Sequence, residues 1–286
     1  RAPRKELIKK FSHIKKEDGL LVALNGAGDY HHLTYGFCRG IIDSDEEEYS
    51  VFLADLHGDC NRNTGMLECG NHISMLLKDS KSAKKGIIIG ANTMVHSSRW
   101  MDSEVFKNGI EIYPYSKSRG CFRDVKKEPD VDCVDCEYYP NSENFTVEWH
   151  TVNKEGIEKI TDRALERTET DDVYLTIDLD VLKKEYAATN WGNGNMDLRE
   201  LLDSIRIIKN EKNVIGLDIT GTDGTAEAEH NLYTTAAIVN EITDGPYERE
   251  FFFGEISQKY KEYMSDVLYS HLPEYLKRIF PLNQII

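Results

Sequence analysis

Apolar residues recur along this chain in short blocks. Leu7, Ile8, Phe11 and Ile14 stand at helical spacing within "RAPRKELIKKFSHIKKED", with lysines between them, which predicts an N-terminal helix. "GLLVALNGAG" (19–28) predicts a short buried strand running into a glycine turn. "YSVFLADLH" (49–57) and "KKGIIIGAN" (84–92) predict two more strands. Between them, 65–79 predicts a helix from Met66 onwards, with Ile73, Leu76 and Leu77 on one face. Apolar runs separated by helix-length segments are the pattern of βαβ units and a parallel sheet.

The rhythm breaks at about 97–146, a polar stretch read as an irregular insertion with room for short strands. It resumes with the strand "TVEWHTV" (146–152), a helix over 154–168 and the strand "DDVYLTIDLDVL" (171–182). A Gly- and Asn-rich loop (190–196), the helix "MDLRELLDSIRIIKN" (196–210) and the strand "NVIGLDIT" (213–220) follow. Helices are expected over 227–243 and 255–279, the latter interrupted by Pro273. With no internal repeat and no linker, residues 1–286 are read as one α/β domain.

Composition narrows the function. A formal charge of −15 argues against nucleic-acid and anionic-membrane partners, which need a basic footprint. The apolar runs are far shorter than the roughly 18–20 residues that span a bilayer. No secretory apolar region precedes them, and six cysteines in 286 residues do not make a disulfide framework. The expectation is a cytoplasmic protein with reduced thiols.

Three predicted strands end in ligand-type residues. His31 and His32 follow the first, in "GDYHHLTYG"; Asp55, His57 and Asp59 close the second, in "DLHGD"; Asp178 and Asp180 close the strand "TIDLD". Alternate strand residues point the same way, and ligands bind at the carboxyl ends of parallel strands. Four carboxylates and at least two imidazoles gathered there would repel one another without cations. An oxygen-rich set with some imidazole suits Mn²⁺- or Mg²⁺-like ions. Each pattern taken singly also fits helix caps and loop hydrogen bonds.

"YHHLTYG", "DLHGD" and "TIDLDVL", in that order, resemble the ureohydrolase (arginase and agmatinase) family over about residues 20–243. The resemblance implies a three-layer α/β/α fold around a central, mostly parallel sheet and a pair of manganese ions, with Zn²⁺, Fe²⁺ or Mg²⁺ as substitutes. Carried over, it makes His31 and Asp59 ligands of the first ion and His57 and Asp180 ligands of the second, with Asp55 and Asp178 shared. It also places His72, thirteen residues after Asp59, as a general acid that works with Asp59 in catalysis; read by itself, His72 in "CGNHISMLL" equally fits a residue that simply begins a helix. The implied reaction is hydrolysis of a linear C–N bond in a guanidino, amidino or amide compound by a metal-bound hydroxide. The implied substrate is small, with a cation suited to the acidic surface, and family members are often homo-oligomers.

Departures from the family pattern keep alternatives open. His32 and Tyr30 replace a Ser and an Asp, and Asn61 fits a substrate-loop position or a simple turn. The stretch Asp218, Ile219, Thr220, Gly221 puts glycine where the family has its guanidinium-binding Glu. Asp223, Glu227 or Glu229 could substitute from the next loop. "TNW" at 189–191 and that glycine resemble a bacterial arginase-like branch of the family. A metal- or ligand-binding protein without turnover, or a purely structural one, are the competing readings. Cys121, Cys133 and Cys136 are candidates for a separate zinc, Cys69 with His72 for a nucleophile–base pair, and Trp149, Trp191 and Tyr186 for pocket walls. His150 is read as a strand histidine at a core edge.

Overall fold

Strand β2 (Tyr49–Ala54) is buried along almost its whole length, on both faces. A strand with no polar face belongs in the middle of a covered parallel sheet, and that is where it lies. In the computed structural model, β2 is flanked by β8 (Asp172–Asp178) and β3 (Ala83–Ile89). The sheet continues through β9 (Asn213–Thr220) to β1 (Leu21–Gly26) on one side and to β4 (Ile110–Tyr113) on the other. All five pairings are parallel, giving the order β1-β9-β8-β2-β3-β4. The structure describes residues 4–13, 20–45, 47–61, 66–92, 109–116, 119–123, 132–138, 144–222 and 228–243.

Helices surround the sheet in two packed groups. α1 (Arg4–Phe11) lies on α2 (Leu33–Gly40), which touches α3 (His72–Asp79). α5 (Leu198–Glu211) packs between α4 (Ile157–Glu166) and α6 (Ala228–Ile242). The core is apolar on both sides of the strands. Ile73 and Leu77 of α3 close over Gly86 of β3, while Phe52, Ile89 and Leu175 share a small apolar cavity with Leu201, Ile205 and Ile208 of α5. Asp197 caps α5 in a box with Glu200, fixing the register of that helix just after the polar loop.

Several expected boundaries shift. The helix expected over 65–79 begins only at His72, after a 3₁₀ turn at Cys69–Asn71. The strand expected to run to residue 182 stops at Asp178 and turns into a 3₁₀ element, Leu179–Val181, because the Asp178 side chain accepts the Asp180 amide and bends the chain. The insertion read at 97–146 holds more order than expected. β4 within it joins the main sheet, and β5 (Arg119–Arg123), β6 (Val134–Tyr138) and β7 (Asn144–Trp149) form a separate antiparallel sheet. The four residues of β4 are all buried, so its one charge, Glu111, had hidden an edge strand from the apolar count. The helix expected at 255–279 lies outside the described residues. Among them, no helix is long and apolar enough to cross a membrane.

Candidate metal centre

β2 and β8 are neighbours in register, Ala54 opposite Ile177. Their C-terminal ends therefore deliver Asp55 and Asp178 side by side. The turn after β1 brings His31 over the same place, just before α2. His31, Asp55, Asp59, Asp178 and Asp180 are all buried, and His57 is about one-third exposed at the mouth.

Backbone amides fix the orientation of the strand-end carboxylates. Asp55 Oδ1 accepts from the His57 amide at 2.6 Å. Asp178 Oδ1 accepts from Asp180 N at 3.0 Å, and Asp180 Oδ1 from Leu56 N at 3.1 Å. The second oxygen of each carboxylate meets the imidazoles. His31 Nδ1 lies 3.3 Å from Asp55 Oδ2, 3.1 Å from Asp59 Oδ2 and 3.4 Å from Asp178 Oδ2. His57 Nδ1 lies 3.0 Å from Asp180 Oδ2 and 3.5 Å from Asp55 Oδ1. Asp59 is the only non-glycine with positive φ (41°) among the described residues, a conformation that aspartate tolerates better than most side chains.

These atoms form three ligand clusters: His31, Asp59 and His72; His31, Asp55 and Asp178; Asp55, His57 and Asp180. His31 Nδ1, Asp55 Oδ2 and Asp180 Oδ2 are buried without a hydrogen-bond partner. Lone pairs left unpaired in a protein interior are costly. A divalent ion with bonds of about 2.1–2.5 Å at right angles has ligand–ligand edges of roughly 3.0–3.5 Å, which matches the separations here. The donor set thus fits divalent cations.

The protein's own charges show the same demand. Burial disfavours a charged His31, but the Asp55 and Asp59 carboxylates outweigh it and raise its pKa well above the ordinary value. Burial likewise opposes the charge on His57, yet Asp180 and Asp55 push it up to about 11. Burial, with Asp180 and Asp55 alongside, raises Asp178. Burial, then Asp55, raises Asp180 to about 6. Asp59 is held below the carboxylate range by His31 and His72 in spite of its burial. Without cations, protons on the imidazoles and acids balance the cluster.

His72 is fully buried, its ring centroid 4.4 Å from that of His31 and tilted 44° to it. Its Nδ1 donates to the Cys69 carbonyl at 2.7 Å and lies 3.2 Å from Asp59 Oδ2. It contacts the Cys69 backbone, and burial raises the Cys69 thiol, so the structure does not support a Cys69–His72 nucleophile pair. His32 contacts the Asp29 carbonyl through Nδ1, and Asn61 joins a turn by donating its amide to Gly70. Both stay outside the three clusters, as does His150, which pairs with Glu155. Trp149 is buried and Tyr186 donates to Asp197, whereas Trp191 is half exposed and stands edge-on to His57, 6.2 Å away. Cys133 is a buried free thiol; the side chains of Cys121, Cys136, Asp223, Glu227 and Glu229 lie outside the described residues.

Sequence reasoning passed over the buried threonines beside the cluster. Thr176 stands two residues before Asp178 on its strand and Thr34 three after His31, so alternation and helical spacing could have found them.

A parallel α/β sheet with a buried carboxylate–histidine cluster at its strand ends is an architecture whose side chains fit divalent cations. The chain belongs to the arginase family, whose model it matches over residues 3–243. The fold is similar to that of a hypothetical agmatinase from Burkholderia thailandensis, at 18% identity and TM-score 0.57 over 84% of this chain and 62% of that one. It is also similar to formimidoylglutamase from Bacillus subtilis (18%, 0.57, 85% and 66%) and to arginase from Bacillus cereus (16%, 0.58, 86% and 78%). The chain thus spans less than two thirds of the length of the first two. No curated protein matches it.

Proposed function

We propose that this arginase-type domain is a dinuclear-metal hydrolase that cleaves a linear C–N bond of a small molecule. The observation that carries the proposal is the convergence of buried His31, Asp55 and Asp180 atoms that have no hydrogen-bond partner and face their neighbours at 3.0–3.4 Å, the spacing of ligands around one ion. His31, Asp55, Asp59 and Asp178 would hold one ion, and Asp55, His57, Asp178 and Asp180 the other. Manganese is the expected metal, with Zn²⁺, Fe²⁺ or Mg²⁺ as substitutes. Bound there, the pair supplies an ionised water as nucleophile near neutral pH. Cys38, Cys60, Cys69 and Cys133 are free thiols, which supports a reducing, cytoplasmic setting.

The chain's own residues exclude water and place protons. Asp59 and His72 are the catalytic pair: His72 keeps a proton on Nδ1 beside Asp59 Oδ2, inside the cluster. Trp191, half exposed and edge-on to His57, stands at the mouth, where the organic part of a substrate would lie. Gly221 offers no carboxylate to a guanidinium, which favours amide and amidine substrates over arginine-like ones. Protein reconstituted with Mn²⁺ is expected to release ammonia, a carboxylate or urea from members of an acyl-amine, amidine and guanidine panel. Turnover no greater than that of an Asp55→Asn variant contradicts the proposal. The same glycine supports a second reading, a binder without turnover, which a panel compound that raises the Tm but is never consumed would favour.

A further inference from the structure

Asp218 is a fully buried carboxylate that the proposed ion ligation does not use. It lies on β9, next to β8, opposite Thr176. Three donors converge on its Oδ1: Thr176 Oγ1 at 2.9 Å, Thr34 Oγ1 at 3.1 Å and Asn25 Nδ2 at 3.1 Å. Thr176 Oγ1 is also 2.9 Å from His31 Nε2. These groups form one chain: carboxylate, hydroxyl, imidazole.

A hydroxyl has one proton and a carboxylate only accepts. With its proton committed to Asp218, Thr176 can offer His31 only a lone pair, so His31 Nε2 must carry the hydrogen. The other ring nitrogen, Nδ1, is the one 3.1–3.4 Å from Asp55, Asp59 and Asp178. We propose that Asp218, acting through the Thr176 hydroxyl, is a positioning residue that fixes His31 in the Nε2–H tautomer and aims its Nδ1 lone pair at the cation site. The inference rests on the metal reading above. It assigns a task to the aspartate of "LDIT", whose neighbour Gly221 has no carboxylate to offer. Outer partners of this kind are worth about 10- to 100-fold in metal affinity.

Thr34 supplies the comparison. Its hydroxyl donates to the same Asp218 oxygen and lies 3.2 Å from the Thr176 hydroxyl, but makes no bond to His31. Mn²⁺ affinity, measured by calorimetry on the full chain, is expected to fall about 10- to 100-fold in Thr176→Val. It should stay within about threefold of wild type in Thr176→Ser, which keeps the hydroxyl, and in Thr34→Val. Circular dichroism of the metal-free proteins separates loss of fold from loss of ligation. Equal losses in Thr34→Val and Thr176→Val, or wild-type affinity in Thr176→Val, overturn the relay while leaving the metal site standing. Should Thr176→Val not fold, a Thr176→Ser variant as weak as Asp218→Asn overturns it in the same way. Wild-type protein that takes up no Mn²⁺ removes the metal reading and the relay together.

Discussion

A Cβ placed on Gly221 would lie 2.3 Å from Asp178 Oδ1 and 2.9 Å from the Leu179 amide nitrogen. Gly221 also has φ +94°, in the region that favours glycine. The residue that departs from the arginase pattern is thus in contact with a member of the carboxylate cluster. The Gly221 amide bonds the Gly26 carbonyl at 2.8 Å, which ties this close approach to the β1–β9 edge.

Gly221→Ala is therefore expected to cost about 1–3 kcal/mol of stability and to weaken Mn²⁺ binding as Asp178 is displaced. Gly221→Glu should lose more metal still, and should not gain agmatine or arginine hydrolysis. Calorimetry and a urea assay check both. A Gly221→Glu protein that binds Mn²⁺ normally and hydrolyses agmatine contradicts the account.

Asp178→Asn should separate stability from ligation. The Asp178 carboxyl is buried beside Asp180 and Asp55, which oppose its ionisation. An amide keeps an oxygen for the Asp180 amide proton and cannot ionise beside these neighbours. Metal-free Asp178→Asn is expected to be as stable as wild type or about 1 kcal/mol more so, as is common where function strains a site, and to lose the Tm rise that Mn²⁺ gives. Urea titration with and without Mn²⁺ measures both; a metal-free variant weaker by several kcal/mol contradicts the crowding argument.

The same crowding sets a pH dependence. Between about 3.8 and 6 the folded, metal-free protein keeps a proton on Asp180 that the unfolded chain has released, so rising pH destabilises the fold there. Between 6.5 and about 11 it keeps one on His57, and rising pH destabilises again. Asp59 works in the opposite sense, its contribution being lost as pH falls through its low folded value. The metal-free Tm should decline from pH 5 to 9, while the Mn²⁺-induced Tm shift grows because cations replace those protons. A shift independent of pH contradicts this.

The central strands were legible because β2 and β8 are buried on both faces and so are mostly apolar, broken only by small or terminal polar residues. The six residues proposed as ligands were legible for a related reason: charges and imidazoles at the ends of such runs stand out. Other features depend on contacts distant in sequence. β4 is four residues with a buried Glu111 whose cost is offset by Lys85 and Arg167 from elsewhere in the chain and by Tyr113 of the same strand. The relay joins His31, Thr176 and Asp218, and although spacing places Thr176 beside the cluster, its bond to His31 spans 145 positions and shows only in the fold. The steric reason for Gly221 appears only once β8 lies beside it.

The most direct test of the account is the number of ions bound. Metal-stripped wild-type protein titrated with Mn²⁺, with elemental analysis of the product, is predicted to hold two ions per chain, and Asp55→Asn fewer. A folded wild-type protein that retains no stoichiometric Mn²⁺, Zn²⁺ or Fe²⁺ would contradict the claim that cations neutralise these carboxylates.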